Sequence, residues 1–112
     1  MDTEERIQTE TAAKIAALND AARSNAANYM ATRGIMSLDE IVISEIFVAV
    51  QNFDKFTEDN DPYGERDFGS FAVAGNKVLW KIDYYTKDLS GGCDPLDPEC
   101  RRVLTIMLAE EY

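Results

Sequence analysis

The carboxylates in and around residues 54–67 are the side chains whose types and spacing could do chemistry in this chain. Six acidic and two basic residues fall within this stretch. Two carboxylates held close together raise the pKa of one of them, and such a pair could exchange protons with a substrate. The candidates are Glu58, Asp61, Glu65, Asp67 and Asp83. A glycosidase-type cleft is larger than a domain of this length usually builds, so we expect no enzyme activity.

The same loop partly matches a calcium-binding loop that would begin at Asp59. Acidic residues then occupy positions 1, 3 and 9, and Gly64 occupies position 6. The match fails at Tyr63 and at Ser70, where a bidentate glutamate is required. A metal-binding module or small metal-dependent enzyme using residues 58–67 is therefore the alternative hypothesis. We expect no cofactor and no metal, and an ordered turn capped by its own side chains explains the loop equally well.

The chain contains no histidine and only two cysteines. The missing imidazole excludes the usual general base near neutral pH and the commonest metal ligand. Cys93 and Cys100 stand seven positions apart, which is neither a C-x-x-C redox motif nor a complete zinc site. A reducing compartment favours free thiols, although a disulfide across this loop remains an alternative.

The net charge of −10 restricts the classes of partner. Binding to nucleic acid phosphates or to anionic membranes requires a basic face, so we expect neither. No apolar run approaches the roughly 20 residues of a membrane span. The first ten residues are acidic and polar, unlike a secretory signal, so we expect a cytoplasmic protein.

Acidic and aromatic residues adjoin one another in the loop, as they do at many protein interfaces. Tyr63 and Phe68 are candidate aromatic anchors, and carboxylates surround them. We therefore predict a surface for a basic protein partner. Its residues are Glu58, Asp59, Asp61, Tyr63, Glu65, Asp67 and Phe68.

A β-hairpin over residues 68–85 must position this loop. Gly75-Asn76 suits a two-residue turn, which would pair Gly69 with Ile82. One face would then carry the core residues Phe71, Val73, Val78, Trp80 and Ile82. Phe68 would pair with Asp83 on the other face, and this would bring Asp67 near Asp83 and Tyr84.

Helices are predicted before the loop and after the hairpin. Residues 1–25 form an outer amphipathic helix, which is capped by Thr3 and has one narrow apolar stripe. The stripe comprises Ile7, Thr11, Ile15, Leu18 and Ala22. Residues 28–33 form a short strand, and a capping box of Ser37 and Glu40 begins a central helix that ends near Phe53.

The C-terminal segment is predicted as a buried helix that begins with Asp97 as its cap and Pro98 in its first turn. A buried strand over residues 102–108 is the alternative. The fold class is thus α+β in a single domain of residues 1–112. A small antiparallel sheet of about three strands packs against helices in the order α-β-α-β-β-α.

Three segments of the sequence carry a resemblance to a known family. They read FTEDNDPYGERDFGSF, VLWKIDYYTKDL and DPLDPECRRVLTIMLAEEY. They resemble the signature blocks of a bacterial domain of unknown function, family 3768, with the resemblance strong from Thr32 onward and weak over the first helix. The family commonly has a histidine where this chain has Arg66, which argues against an imidazole or metal function there. The resemblance implies no established activity, and its members' frequent location on plasmids and other mobile elements implies accessory or anti-defence work.

These observations favour a non-enzymatic acidic binding protein. Its sharpest form is a nucleic-acid mimic, an anti-CRISPR or anti-restriction protein that occupies the basic surface of a nucleic-acid-binding host-defence complex. A structural or regulatory homodimer, formed through the hairpin edge or the first helix, is a further alternative.

Overall fold

A computed structural model describes residues 2–112 and has an α+β fold, as the sequence predicts. The helices are α1 (Thr3–Arg23), the single turn α2 (Arg33–Met36) and α3 (Glu40–Gln51). The strands are β1 (Tyr29–Ala31), β2 (Phe68–Val73), β3 (Asn76–Tyr85) and β4 (Arg101–Leu108). Short 3-10 turns at Ala26–Asn28 and Ala109–Glu111 complete the elements.

The sheet has four strands in the order β1-β4-β3-β2, one more than the sequence indicated. Strands β2, β3 and β4 are antiparallel neighbours, whereas β1 is parallel to β4. The predicted C-terminal helix is wrong, because residues Arg101–Leu108 form β4, as the alternative interpretation held. Neighbouring strands on both sides satisfy its backbone, and its β-branched residues suit a pleated sheet. Asp97 caps only a local turn, in which its Oδ1 accepts the amide of Glu99.

The hairpin is confirmed, but its register differs by two residues from the predicted one. Gly69 pairs with Trp80 and Phe68 with Lys81, because the turn is Ala74-Gly75. Both turn residues have positive φ (50° and 79°), as a type I′ turn requires. A shift of two residues keeps every side chain on its predicted face. Of the predicted core residues, Val78, Trp80 and Ile82 lie in the buried core. Phe71 and Val73 are partly buried and pack against it.

Helix α3 covers the core face of the sheet. Its Ile46 and Val50 are fully buried, and they pack with Trp80 and Ile106 in one hydrophobic cluster. The helix begins at Glu40, and Asp39 rather than Ser37 caps it by accepting the amide of Ile41 at 2.9 Å. The predicted capping box is therefore wrong, because Ser37 instead donates to the carbonyl of Arg33 in the preceding turn.

Helix α1 buries only part of the apolar stripe that the sequence predicts. Ile15 of the stripe is buried, but Ile7 and Leu18 are exposed by 56% and 45%. The polar residues Asn19 and Arg23 are buried as well. Asp2 rather than Thr3 is its N-cap, accepting the amide of Glu5. Residues 2–10 are all exposed, so only the C-terminal half of α1 packs on the domain.

Candidate protein-binding site

The loop of residues 54–67 is held in shape by its own polar side chains. Asn60 accepts the amide of Thr57 at 2.8 Å and donates to the carbonyl of Lys55 at 2.9 Å. Asp61 accepts the amides of Glu65 and Arg66, both at 3.1 Å. Such bonds stabilise turns locally. Asn60 and Asp61 therefore order the loop, whatever else it does.

A groove separates the loop from the exposed half of α1. It has a volume of about 940 Å³, with residues 5–13 of the helix on one side and residues 58–65 of the loop on the other. Four of the seven predicted site residues line its loop wall. They are Glu58, Asp61, Tyr63 and Glu65.

The other three predicted residues lie elsewhere. Asp59 is exposed at the tip of the loop. Asp67 is half-buried, and its carbonyl accepts the amide of Ile82 at 2.8 Å, which joins the loop to β3. Phe68 pairs with Lys81, on the sheet face opposite the core. The structure thus brings together one compact subset of the predicted surface rather than the whole of it.

The carboxylates near the hairpin influence one another, as the sequence predicts. Burial, followed by the charges of Asp67 and Asp61, raises the pKa of Glu65. Burial also raises the pKa of Asp67, against the effect of its own backbone amide, and the charges of Asp61 and Asp83 add to this rise. Glu65 and Asp67 therefore take up protons more readily than ordinary carboxyl groups as the pH falls.

Asn19 joins α1 to the loop and to the sheet, and the sequence reasoning missed it. Its side chain is fully buried and donates to the carbonyl of Glu65 at 2.9 Å and to the hydroxyl of Tyr84 at 2.8 Å. Its Oδ1 accepts a bond of 2.7 Å from Nε of Arg102. Two polar residues four positions apart in an Ala-rich helix, Asn19 and Arg23, were the available signal.

Arg23 holds the C-terminal end of α3 beside the start of the loop. Its buried guanidinium donates to the carbonyls of Val50 at 2.9 Å and Phe53 at 2.7 Å. It also pairs with Asp20 at 3.0 Å, and its Cζ lies 5.3 Å from the ring centroid of Trp80. A cation at this position stabilises the negative end of the α3 dipole.

Arg66, the position that departs from the family pattern, also has a structural role. Its guanidinium pairs with Asp20 at 3.1 Å and lies 5.0 Å from the ring centroid of Phe56. Its backbone has a positive φ of 56°, and its amide supports this turn by donating to the carboxylate of Asp61. Arg66 thus ties the loop to α1.

The side chains that could bind a metal ion are dispersed over the described residues. Among residues 2–112, no group of three or more His, Cys, Asp or Glu side chains is arranged to hold a metal ion. Cys93 and Cys100 are free thiols. Burial, and then hydrogen bonding to Cys100, raises the pKa of Cys93 to about 11, so its thiol stays protonated near neutral pH.

Comparison with known proteins yields one match. The model of a family described as "Protein of unknown function (DUF3768)" matches residues 31–111, which excludes the whole of α1. No curated protein and no solved structure matches the chain. In the described part of the chain, no helix combines the length and apolar character needed to cross a membrane.

Proposed function

The chain belongs to the DUF3768 family, and we propose that it is a non-enzymatic protein that binds a basic protein surface through the loop of residues 54–67. One observation carries this proposal. Among residues 2–112, four carboxylates line the groove beside the loop, and no lysine or arginine lines it. Acidic groups without neighbouring cations are available to pair with a partner's arginines and lysines.

The exposed residues of the loop give the proposal its chemistry. Glu58 and Asp59 are exposed, and Tyr63 of the same loop is 80% exposed. A partner guanidinium could pair with a carboxylate while it stacks on the tyrosine ring. The strongly negative net charge would also speed the encounter with a basic partner at low salt.

In its sharpest form, the proposal makes this a cytoplasmic inhibitor of the anti-CRISPR or anti-restriction type. Its carboxylates would occupy the basic surface on which a host-defence complex binds nucleic acid. Inhibition would then be competitive with nucleic acid and would weaken as salt rises.

The test uses a triple variant, Glu58→Gln, Asp59→Asn and Glu65→Gln. Asp61 is left unchanged, because its carboxylate orders the turn and its removal would confuse binding with folding. The matched control is Glu45→Gln, Glu99→Gln and Glu110→Gln, three exposed acids elsewhere that give the same change in net charge.

Purified defence nucleases are assayed for DNA binding and cleavage with each protein at rising salt. The loop variant should lose inhibition by at least tenfold, whereas the control should retain it. Equal loss in both variants would mean that only net charge matters. Full inhibition by the loop variant would refute the proposed surface.

A homodimer is a second candidate function, because β2 lies at the edge of the sheet with β3 as its only strand neighbour. An edge strand can pair with a second copy through its free backbone groups. Sedimentation of the wild type and of Ala72→Pro, which removes an amide from β2, tests this. A dimer in the wild type that dissociates in the variant supports it, and a monomeric wild type excludes it.

A further inference from the structure

The groove between α1 and the loop has the dimensions of a site for a short segment of chain. Helix residues 5–13 span about 12 Å at 1.5 Å per residue. An extended peptide covers that length with about four residues at roughly 3.3 Å each. The volume of about 940 Å³ lies within the usual range for ligand pockets. A folded surface would rest on the rim of this groove, whereas a short extended segment would enter it.

The charges of the groove select the class of segment. Glu5 on the helix and Glu58, Asp61 and Glu65 on the loop line it. No lysine or arginine of the described chain lines either wall, and Arg23 and Arg66 form their ion pairs with Asp20, outside the groove. Acidic groups therefore flank both sides of a bound segment, and a segment with lysine or arginine complements them.

The apolar residues of the groove favour aliphatic side chains in the bound segment. Ile7 is 56% exposed and Tyr63 80% exposed, and two alanines of α1 and Pro62 also line the groove. Successive side chains of an extended segment point to opposite sides. A segment that alternates basic and aliphatic residues would place its cations at the carboxylates and its aliphatic groups on this apolar surface.

We propose that the groove binds a short extended segment of a partner protein in which arginine or lysine alternates with aliphatic residues. The proposal rests on the proposed function and specifies its partner. Arginine is preferred, because its planar group stacks on Tyr63 and pairs with carboxylates in a bidentate manner. The helical wall lies outside residues 31–111, so α1 adds selectivity that the family region alone does not contain.

The test titrates the full-length ¹⁵N-labelled protein with the peptide acetyl-Arg-Leu-Arg-Leu-amide at low salt. The comparison peptides replace both arginines by glutamine or both leucines by serine. Amide shifts should concentrate in residues 5–13 and 58–65, and each replacement should weaken binding by at least fivefold. Shifts spread over the surface, or confined to other elements, would overturn the proposal.

A pair of protein variants tests the helical wall. Ile7→Ser should weaken binding of the arginine peptide by at least fivefold. Leu18→Ser is the matched control, since Leu18 is exposed on the same helix but lies outside the groove. Equal affinity of Ile7→Ser and the wild type would overturn the proposal.

The two proposals fail in different ways. If the loop variant loses inhibition of the nuclease while Ile7→Ser and the peptide have no effect, the loop binds its partner but the groove does not. If the peptide binds in the groove while the loop variant still inhibits, the groove inference stands and the proposed function fails.

Discussion

Gly69 shows how a single position controls the core. It pairs with Trp80, which is fully buried, and the indole fills the space that a side chain at position 69 would occupy. A Cβ atom there would lie 2.7 Å from Cε2 of Trp80 and 2.9 Å from Cε1 of Phe53. The absence of a side chain therefore permits the central aromatic packing.

Gly69→Ala should destabilise the protein by about 1–3 kcal/mol, because the added methyl group overpacks the core. The measurement is the free energy of unfolding in urea. Gly91→Ala is the control, since nothing lies within 4 Å of its Cβ and its stability should change little. Equal stability of both variants would show that Trp80 moves aside without cost.

Two tyrosines make stability depend on alkaline pH. Burial, against a smaller effect of Arg23, raises the pKa of Tyr29 to about 12. Burial raises the pKa of Tyr84 to about 12. The hydrogen bond from Asn19 opposes this rise, and the charges of Asp67 and Glu65 add to it. A raised pKa in the folded state favours the neutral phenol, so its contribution is complete below the ordinary value of 10 and is lost as the pH rises towards 12.

The free energy of unfolding should therefore fall between pH 10 and pH 12, and a late tyrosinate absorbance step should accompany this fall. Tyr84→Phe should reduce the late step, because it removes one of the two buried phenols. An unchanged absorbance curve for Tyr84→Phe would contradict the assignment.

At the scale of elements, Arg23 makes two helices depend on each other. It lies in the last turn of α1 and binds the carbonyls at the end of α3. Arg23→Ala should cost about 2–5 kcal/mol, because the buried carbonyls of Val50 and Phe53 lose their donor. Lys14→Ala, at an exposed position on the same helix, should cost less than about 0.5 kcal/mol.

Urea unfolding measures both variants, and far-UV circular dichroism checks their helix content. A loss below about 1 kcal/mol for Arg23→Ala would mean that water replaces the guanidinium at the end of α3.

The local patterns predicted most elements, but not the packing between distant ones. Alternating apolar residues identified the hairpin, and period-two symmetry preserved its faces although the turn lay one residue earlier. For residues 101–108, an apolar run can form a buried helix or a buried strand, and only the neighbours β1 and β3 decide between them.

The candidate site was predictable only in part, for a similar reason. Composition located the acidic loop, and Glu58, Asp61, Tyr63 and Glu65 do share one groove wall. The helical wall was not predictable, because α1 packs through Asn19 and Arg23 as well as Ile15, the one residue of its predicted stripe that is buried. Polar packing of this kind leaves no periodic hydrophobic signal.

At the scale of the whole molecule, α1 has two halves with different roles. Its exposed residues 2–10 contribute little to packing, whereas Asn19 and Arg23 anchor the rest. A chain that begins at residue 12 should keep a melting temperature close to that of the full-length protein and lose binding of the arginine peptide. A chain that begins at residue 25 should be strongly destabilised.

Thermal unfolding and peptide titration of the two truncated chains separate these roles. If the chain that begins at residue 12 is unfolded at room temperature, the first turns of α1 also support the fold.

The parallel pairing of β1 with β4 has a consequence for synthesis. Tyr29 pairs with Leu104 and Ala31 with Ile106, so the sheet joins the beginning of the chain to its end. Glu111 strengthens this link by accepting bonds from the hydroxyl of Thr32 at 2.7 Å and the amide of Gly34 at 3.1 Å. Pairs so distant in sequence form late and slow folding. On the ribosome, β1 and α3 must therefore wait for β4 to emerge, and a chain that stalls before β4 would expose Ile46 and Val50 to chaperones and proteases.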